Sequence, residues 1–332
     1  MSSTSSAPPW DVHRLPRAEG SVFLVTGGNT GIGYFIAEQL SATGATVVLG
    51  CRDPARAEAA LTSIRSRVPG AQVRAIRLDL ADLSSLSAAV ESLEVSALHA
   101  VVHNAGVALD DPPRRETGDG HELMFGTNHL GHFALTGLLM PLLSAAPAAR
   151  VVTVGSFAAK SERLDLDDLQ SRRDYQAKRT YGRTKLAQMY FGLELDRRLR
   201  TLGSSVESAV VHPGGALDAL TPSRPPVHVR SLGARLRAAP AALLVQGKHA
   251  GAWPAVRAVL DPAARGGQLW GPRLFSLRGA PRQEAAWSHL ADTAVAAGLW
   301  DASCDLTDHL RNLGARPTAR KRLSGPCDAS NS

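Results

Sequence analysis

A tyrosine and a lysine four residues apart, Tyr181 and Lys185, have the types and the spacing for acid–base chemistry. Residues i and i+4 share one face of a helix, so both side chains would point the same way. A phenol titrates near pH ~10, which is too high for efficient proton transfer at neutral pH. An adjacent ammonium favours the phenolate and lowers the pKa of the tyrosine. The pair therefore predicts a tyrosine acid or base that a lysine assists.

The use of lysine at this position supports the prediction. The chain has 37 basic residues, and counting along the sequence shows that only five of them are lysines. Lysine is a compact point charge that can donate to a sugar hydroxyl, whereas the planar guanidinium of arginine suits carboxylate and phosphate. The alternative is coincidence, since the chain has four tyrosines that could fall near a lysine.

A glycine-rich turn, TGGNTGIG, spans residues 26–33 and places Gly27, Gly31 and Gly33 at G-x-x-x-G-x-G spacing. A short apolar run precedes it and a helical pattern follows it. Glycine permits a tight turn and lets backbone N–H groups approach a pyrophosphate, which the helix N-terminus then faces. The turn therefore predicts a dinucleotide-binding site.

The end of the second predicted strand indicates which dinucleotide is bound. An acid that binds the ribose hydroxyls of NAD usually stands there, but here the position is held by Cys51, and Arg52 follows. Arginine can make paired hydrogen bonds to a 2′-phosphate, which favours NADP(H). Asp53, just before Pro54, is interpreted as a helix cap. The alternative is that Arg52 is one more surface arginine.

The elements around these residues alternate between strands and helices, which predicts βαβ units and a parallel sheet. We expect an α/β fold, a single doubly wound Rossmann domain with helices on both faces, over residues 19–313. A last strand within 267–281 has Trp270 and Phe275 in the core. Residues 1–18 and 314–332 are predicted as disordered tails. The predicted strands cover 21–26, 45–50, 71–78, 97–106, 150–156 and 205–215, and the predicted helices cover 33–44, 54–68, 83–93, 120–145 and 179–200.

Composition argues against other classes of function. The net charge is +7, but the arginines are spread along the chain, so we expect no nucleic-acid partner. No apolar run reaches the ~18 residues of a membrane helix, and no signal peptide is recognised. Three scattered cysteines predict neither a disulfide framework nor a metal site. These features predict a protein of the cytoplasm.

Six motifs in order, TGGNTGIG, HNAG (103–106), NHLGHF (128–133), VTVGS (152–156), YGRTK (181–185) and HPGG (212–215), resemble the short-chain dehydrogenase/reductase family over about residues 20–310. The resemblance implies that Tyr181 is the catalytic acid or base and that Lys185 holds the nicotinamide ribose. It implies that Ser156 hydrogen-bonds the substrate oxygen and that Asn128 positions a water for a proton relay. The implied cofactor-binding residues are Gly27, Asn29, Thr30, Gly31, Ile32, Gly33, Arg52, Asp79, Leu80, Asn104, Ala105, Gly106, Lys185, Pro213 and Gly214.

The chain departs from the usual pattern of the family at four places. Gly155 stands where a first serine is common, which leaves only Ser156 for that role. An insertion at 157–180 resembles the subgroup of retinol dehydrogenases, WW-domain oxidoreductase and protochlorophyllide reductase, and we expect it at the rim of the cleft. His103 is interpreted as a core residue. Asp218 stands where a threonine often contacts the cofactor, so that contact is open: the acid either weakens NADP binding or points away.

The function that the resemblance implies is NADP(H)-dependent reduction of a ketone or aldehyde, or oxidation of the alcohol, on a small hydrophobic or polycyclic substrate, with secondary metabolism as one setting. The alternative is a non-catalytic NADP-binding regulatory protein. Residues 216–246 are predicted as a lid over the substrate, with Leu220, Val227 and Val229 as apolar contacts; an ordinary solvated loop is the alternative. A homodimer or homotetramer would pack through helices 120–145 and 179–200.

Overall fold

The computed structural model describes residues 10–311 and residue 313. Runs of β-branched and other apolar residues form the buried strands, because these side chains pack well on a pleated surface. The strands are β1 (Val22–Thr26), β2 (Thr46–Cys51), β3 (Gln72–Arg77), β4 (Ala100–His103), β5 (Arg150–Val154), β6 (Glu207–Val211), β7 (Ala216–Leu217), β8 (Gln246–Gly247), β9 (Leu269–Leu274) and β10 (Arg278–Glu284).

The larger sheet has eight strands in the order β10-β9-β6-β5-β4-β1-β2-β3. Its neighbouring strands are parallel except for the pair of β9 and β10. Because β1 pairs with β2 on one side and with β4 on the other, the chain reverses its winding there. Ligands of such sheets bind outside the carboxyl ends of the strands at this switch point.

Helices cover both faces of the sheet, which confirms the predicted doubly wound α/β fold. The helices are α1 (Gly31–Ser41), α2 (Pro54–Arg67), α3 (Leu86–Glu91), α4 (Leu123–Phe125), α5 (Gly131–Ser144), α6 (Ala177–Thr201), α7 (Leu232–Ala238), α8 (Lys248–Gly251), α9 (Trp253–Leu260) and α10 (Thr293–Thr307). One face packs α1, α2 and α9 around Phe35 and Trp270, and the other packs α3, α5 and α6 around Phe133 and Phe191.

Two predicted helices differ in detail from the structure. The helix expected at 83–93 begins with a 3₁₀ turn at Leu83–Ser85 and continues as the short helix α3. The long helix expected at 120–145 is interrupted between α4 and α5 by a π turn at Gly126–Leu130. This turn carries Asn128 and brings it towards the carboxyl end of the sheet.

The last predicted strand is a hairpin of β9 and β10 instead of one strand. Trp270 is buried in β9, as expected, but the core position predicted for Phe275 is wrong because its side chain is 85% exposed. Phe275 and Ser276 form the turn with φ of +54° and +58°. Such a tight reversal at the end of a hairpin leaves its side chains in solvent.

The N-terminal boundary also needs correction. Residues 10–18 were predicted as part of a disordered tail, yet Trp10, Leu15 and Ala18 pack against the core on the side of α1. Arg257 of α9 lies over the ring of Trp10 at 5.6 Å. A tryptophan buries a large apolar area, so it outweighs the Ser- and Pro-rich composition around it. Residues 1–9 and 314–332 lie outside the described residues.

The segment predicted as a lid, 216–246, is attached to the rest of the domain through Arg224 and Val227. Arg224 forms an ion pair with Glu38 of α1 at 2.5 Å, and both side chains are largely buried. The two ends of the segment pair with each other as β7 and β8. Val227 packs against the core, whereas Val229 is exposed. The lid function stays a prediction.

Candidate active site

A groove of about 500 Å³ opens at the carboxyl ends of β1, β2 and β4. Tyr181 and Lys248 contribute to its wall. Four of the predicted cofactor-binding residues, Gly33, Lys185, Pro213 and Gly214, lie outside its lining. Those that line it are Gly27, Asn29, Thr30, Gly31, Ile32, Arg52, Asp79, Leu80, Asn104, Ala105 and Gly106.

The glycine turn has the geometry of an anion cradle. Gly27 and Gly31 adopt φ of +65° and +60°, a conformation that other residues rarely adopt. A Cβ atom on Gly33 would collide with the backbone oxygen of Gly27. Thr30 caps α1, but its side chain makes no capping hydrogen bond. The first amides of α1 therefore stay available to an anion in the groove.

The end of β2 brings Arg52 to the groove together with Asp53, whose carboxylate caps the following helix. Burial raises the pKa of Cys51 to about 12, so its thiol is neutral. Asp53 accepts hydrogen bonds from the backbone amides of Ala55 and Arg56 at 2.9 and 3.1 Å, which confirms its predicted role as a helix cap. Arg52 is exposed at the edge of the groove.

The loop after β4 is held against β1. The backbone amides of Asn104 and Ala105 donate to Thr26 Oγ1 at 2.9 and 3.0 Å, and Asn104 Nδ2 donates to the carbonyl of Thr26 at 3.0 Å. Next to this loop, His103 is wholly buried and hydrogen-bonded to Thr136 at 2.8 Å. His103 is therefore a core residue, as predicted.

Tyr181 projects from α6 into the groove, next to the Ser156 side chain after β5. Burial raises the pKa of Tyr181, and Ser156, as a hydrogen-bonding neighbour, opposes this rise. The lowered pKa predicted from the Tyr-x-x-x-Lys spacing is therefore wrong for this arrangement. Desolvation of the phenolate outweighs the hydrogen bond, and the amino group of Lys185 is held by other partners.

Lys185 lies beneath the tyrosine on the same helix and is only 4% exposed. Its Nζ donates to the carbonyl of Val154 at 2.7 Å and to Gln188 Oε1 at 2.6 Å. Burial lowers the pKa of Lys185 to about 7. A group with such a pKa exchanges protons readily at neutral pH.

Asn128 is wholly buried in the π turn and joins the loop after β4 to α6. Its Oδ1 accepts from the amide of Val107 at 2.7 Å, and its Nδ2 donates to Val107 O at 2.9 Å and to Thr184 Oγ1 at 3.0 Å. Single π turns often occur at functional sites. The relay water expected at Asn128 stays a prediction.

Pro213 and Gly214 approach the groove from the β6 side. A Cβ atom on Gly251 would lie 3.4 Å from Pro213 Cβ and 3.6 Å from Ile32 Cδ1, which places Pro213 near the start of α1. Gly214 has φ of +67° and packs against the backbone of Leu277. Their predicted place beside a nicotinamide ring stays a prediction.

Asp218 does not line the groove. It forms ion pairs with Lys248 at 2.6 Å and with Arg230 at 3.2 Å. Burial would raise the pKa of Asp218, but the hydrogen bond from Lys248 and the charge of Arg230 lower it overall. The acid is therefore an anion whose nearest partner, Lys248, does line the groove.

The residues that the structure describes contain neither a cluster of metal ligands nor a helix suited to a membrane. No three His, Cys, Asp or Glu side chains within 10–311 are grouped so that they could hold a metal ion. None of the described helices combines the length and the apolar character needed to cross a membrane.

The model of the short chain dehydrogenase family matches residues 21–222, more than half of the chain. The match runs from β1 through the glycine turn, Ser156, Tyr181 and Lys185 to the segment after β6. The chain belongs to the short-chain dehydrogenase family.

Curated proteins resemble the chain over about three fifths of its length. Retinol dehydrogenase 12 of Mus musculus is 41% identical over 204 residues, which is 61% of this chain and 63% of that protein. Retinol dehydrogenase 12 of Homo sapiens is 41% identical over 197 residues, which is 59% of this chain and 61% of that protein. The chain therefore matches less than two thirds of the length of these relatives.

Solved structures extend the likeness to the whole fold. An uncharacterized protein from Mycobacterium paratuberculosis is 33% identical with a TM-score of 0.72, over 90% of this chain and 98% of that chain. The RhlG/NADP active-site complex of Pseudomonas aeruginosa is 26% identical with a TM-score of 0.57, over 76% of this chain and 94% of that chain. Both support a Rossmann-type oxidoreductase fold.

Within this short-chain dehydrogenase, sequence reasoning missed two parts of the site. Gln188 holds Lys185, and its position one helical turn further along α6 is a signal that could have identified it. Lys248 lines the groove from α8, outside the matched residues. The scarcity of lysine, which singled out Lys185, applies equally to Lys248.

Proposed function

We propose that the protein is an NADP(H)-dependent oxidoreductase that interconverts an apolar ketone or aldehyde with its alcohol. One observation carries the proposal: Tyr181, next to Ser156, stands at a glycine-lined groove with Lys185 buried one turn further along the same helix. Burial of a lysine amine lowers the stability of a fold unless polar partners compensate it, so its presence here favours a role in the site. Here it stands beside a phenol that can transfer a proton.

The groove suits a nicotinamide dinucleotide. The positive φ angles of Gly27 and Gly31 and the uncapped start of α1 suit a pyrophosphate. A related structure, that of RhlG, is described as an NADP complex. When bound, the nicotinamide supplies or accepts the hydride.

The residues of this chain would handle the proton and the substrate oxygen. In the reduction, Ser156 hydrogen-bonds the carbonyl oxygen and Tyr181 Oη gives it a proton. Because burial raises the pKa of Tyr181, the phenol is protonated at neutral pH and ready to donate. Lys185, with a pKa of about 7, can return a proton towards the tyrosine. The protonated form of Tyr181 is the form that reduction needs, so it favours reduction at neutral pH.

The preference for NADP(H) rests on the end of β2. Cys51 is neutral there, and Asp53 is engaged by the cap through Oδ1 and by Arg56 through Oδ2, at 3.5 Å. Arg52 lines the groove and suits a 2′-phosphate. Arg52→Ala should weaken NADPH binding by about 10-fold or more and NADH binding much less, measured by titration. Arg67→Ala, at an exposed arginine of α2, is the control.

An apolar substrate is supported by the rings near Ser156. Phe157 follows it directly, and its ring lies 6.4 Å from that of Trp287. The curated relatives are named retinol dehydrogenases. A first panel should therefore contain retinal, smaller apolar aldehydes and polycyclic ketones.

The test of the catalytic proposal is Tyr181→Phe. It should leave NADPH affinity unchanged and lower turnover by about 10²–10⁴-fold, because it removes only the transferable proton. Tyr190→Phe is a matched control, since Tyr190 is on the same helix and donates to the His289 carbonyl instead. Unchanged turnover in Tyr181→Phe would exclude Tyr181 from the reaction.

A further inference from the structure

The ion pair of Lys248 and Asp218 stands at the edge of the cofactor groove. Lys248 lines the groove together with Thr30, Gly31 and Ile32 of the glycine turn and α1. Asp218 lies beside it at 2.6 Å, outside the groove. The family match ends at residue 222, so it assigns nothing to Lys248.

Backbone pairing fixes the position of both residues. β7 and β8 are parallel, with Ala216 opposite Gln246 and Leu217 opposite Gly247. The next residues in this register are Asp218 and Lys248. The backbone amide of Lys248 also donates to Thr221 Oγ1 at 3.0 Å. The fold therefore fixes the backbone of Lys248 beside the groove, and the ion pair with Asp218 holds its ammonium.

Three basic residues line the groove, and they lie at different ends of it. Arg52 and Arg56 follow β2, whereas Lys248 is tied through β7 to the segment after β6. In the sheet, β2 and β6 lie on opposite sides of β1. Lys248 is thus the cation on the β6 side of the glycine turn, among the residues that line the groove.

We infer that Lys248 binds the pyrophosphate of the dinucleotide and that Asp218 is the counter-ion with which this pyrophosphate competes. The inference rests on the proposed function, because it needs a dinucleotide in the groove. Lysine is a compact cation well suited to phosphate oxygens. Asp218 neutralises part of the charge of Lys248 and part of the charge of a second cation, Arg230. Removal of the acid therefore raises the positive potential that a phosphate meets.

The experiment compares Lys248→Met and Asp218→Asn with the wild type by titration with NADPH, NADH and adenosine 2′-phosphate. Lys248→Met should weaken the binding of NADPH and of NADH by the same factor of about 10 or more. It should leave the affinity for adenosine 2′-phosphate unchanged, because that fragment has no pyrophosphate. Asp218→Asn should raise the affinity for both dinucleotides by about 3-fold or more, and this gain should be lost when Lys248→Met is added.

Two controls keep the test specific. Lys178→Met removes the same charge from an exposed position at the start of α6 and should change none of the affinities. The pair of Lys248 and Asp218 is partly exposed, with side chains 24% and 44% accessible, so thermal unfolding of both variants should stay near that of the wild type.

The outcomes separate the inference from the proposed function. If the wild type binds NADPH and Lys248→Met binds it with equal affinity, the inference alone is overturned. The same holds if Asp218→Asn binds NADPH more weakly than the wild type. If Lys248→Met loses as much affinity for adenosine 2′-phosphate as for NADPH, the assignment of Lys248 to the pyrophosphate is overturned. A wild type that binds neither dinucleotide would overturn the proposed function and the inference with it.

Discussion

Replacement of Lys185 by methionine is expected to change how stability depends on pH. Lys185 is 4% exposed, and burial lowers its pKa from 10.5 to about 7. The unfolded chain therefore binds this proton more tightly than the folded chain does. Consequently the free energy of unfolding rises with pH from about 7 to 10.5 and is independent of this group below that window.

The size of the effect follows from the same two pKa values. Within the window, each pH unit is worth up to ~1.4 kcal/mol for one proton. Between about pH 6 and about pH 9, Lys185 should contribute a gain of ~3 kcal/mol to the wild type and none to the variant. Methionine also leaves Val154 O and Gln188 Oε1 without their donor, at ~1–3 kcal/mol each. That loss is the same at every pH and shifts the curve without changing its slope.

The assay is urea unfolding of the wild type and Lys185→Met at closely spaced pH values. The difference between the two free energies of unfolding cancels the titration of all other groups. It should move by ~3 kcal/mol in favour of the wild type as pH rises across this range. Lys178→Met, at an exposed lysine, should run parallel to the wild type. If Lys185→Met also runs parallel to the wild type, the lowered pKa of Lys185 is refuted.

Three further predictions concern the glycine turn, the segment 216–246 and the core. Gly33→Ala should abolish measurable NADPH binding, because its Cβ would collide with the backbone of the turn; retained affinity in a titration would contradict this. Arg224→Met should lower the free energy of unfolding by about 3 kcal/mol, and adding Glu38→Gln should restore much of it; no rescue in urea unfolding would contradict the ion pair. Trp270→Ala should lower the free energy of unfolding by about 3–5 kcal/mol, and Phe275→Ala should lower it by less than about 0.5 kcal/mol. Equal losses of stability in urea unfolding would contradict the burial of Trp270 and the exposure of Phe275.

Much of the fold could be predicted from local sequence. Apolar runs bounded by glycine, and helical spacing between them, are signals that act within a few residues, so the parallel sheet and its helices followed from them. The same holds for the position of Tyr181 and Lys185 on one face of α6 and for the cap at Asp53. Each of these features depends on neighbours in sequence.

The features that escaped prediction depend on contacts between distant segments. The pKa of Tyr181 rises because surrounding elements bury it, which spacing along one helix cannot reveal. Lys248 reaches the groove because β7 pairs with β8, about thirty residues away in the chain. Phe275 is exposed because a hairpin reverses there, and Trp10 is ordered because α9 offers it a partner.

The most direct test of the proposed function is to mix NADPH with a panel of apolar aldehydes and ketones and follow the cofactor's absorbance, with wild type and Tyr181→Phe side by side. The proposed function predicts that the wild type consumes NADPH with at least one carbonyl compound, and that Tyr181→Phe binds NADPH equally well but is slower by about 10²-fold or more. Equal rates in the two proteins, or no binding of NADPH by the wild type, would contradict it.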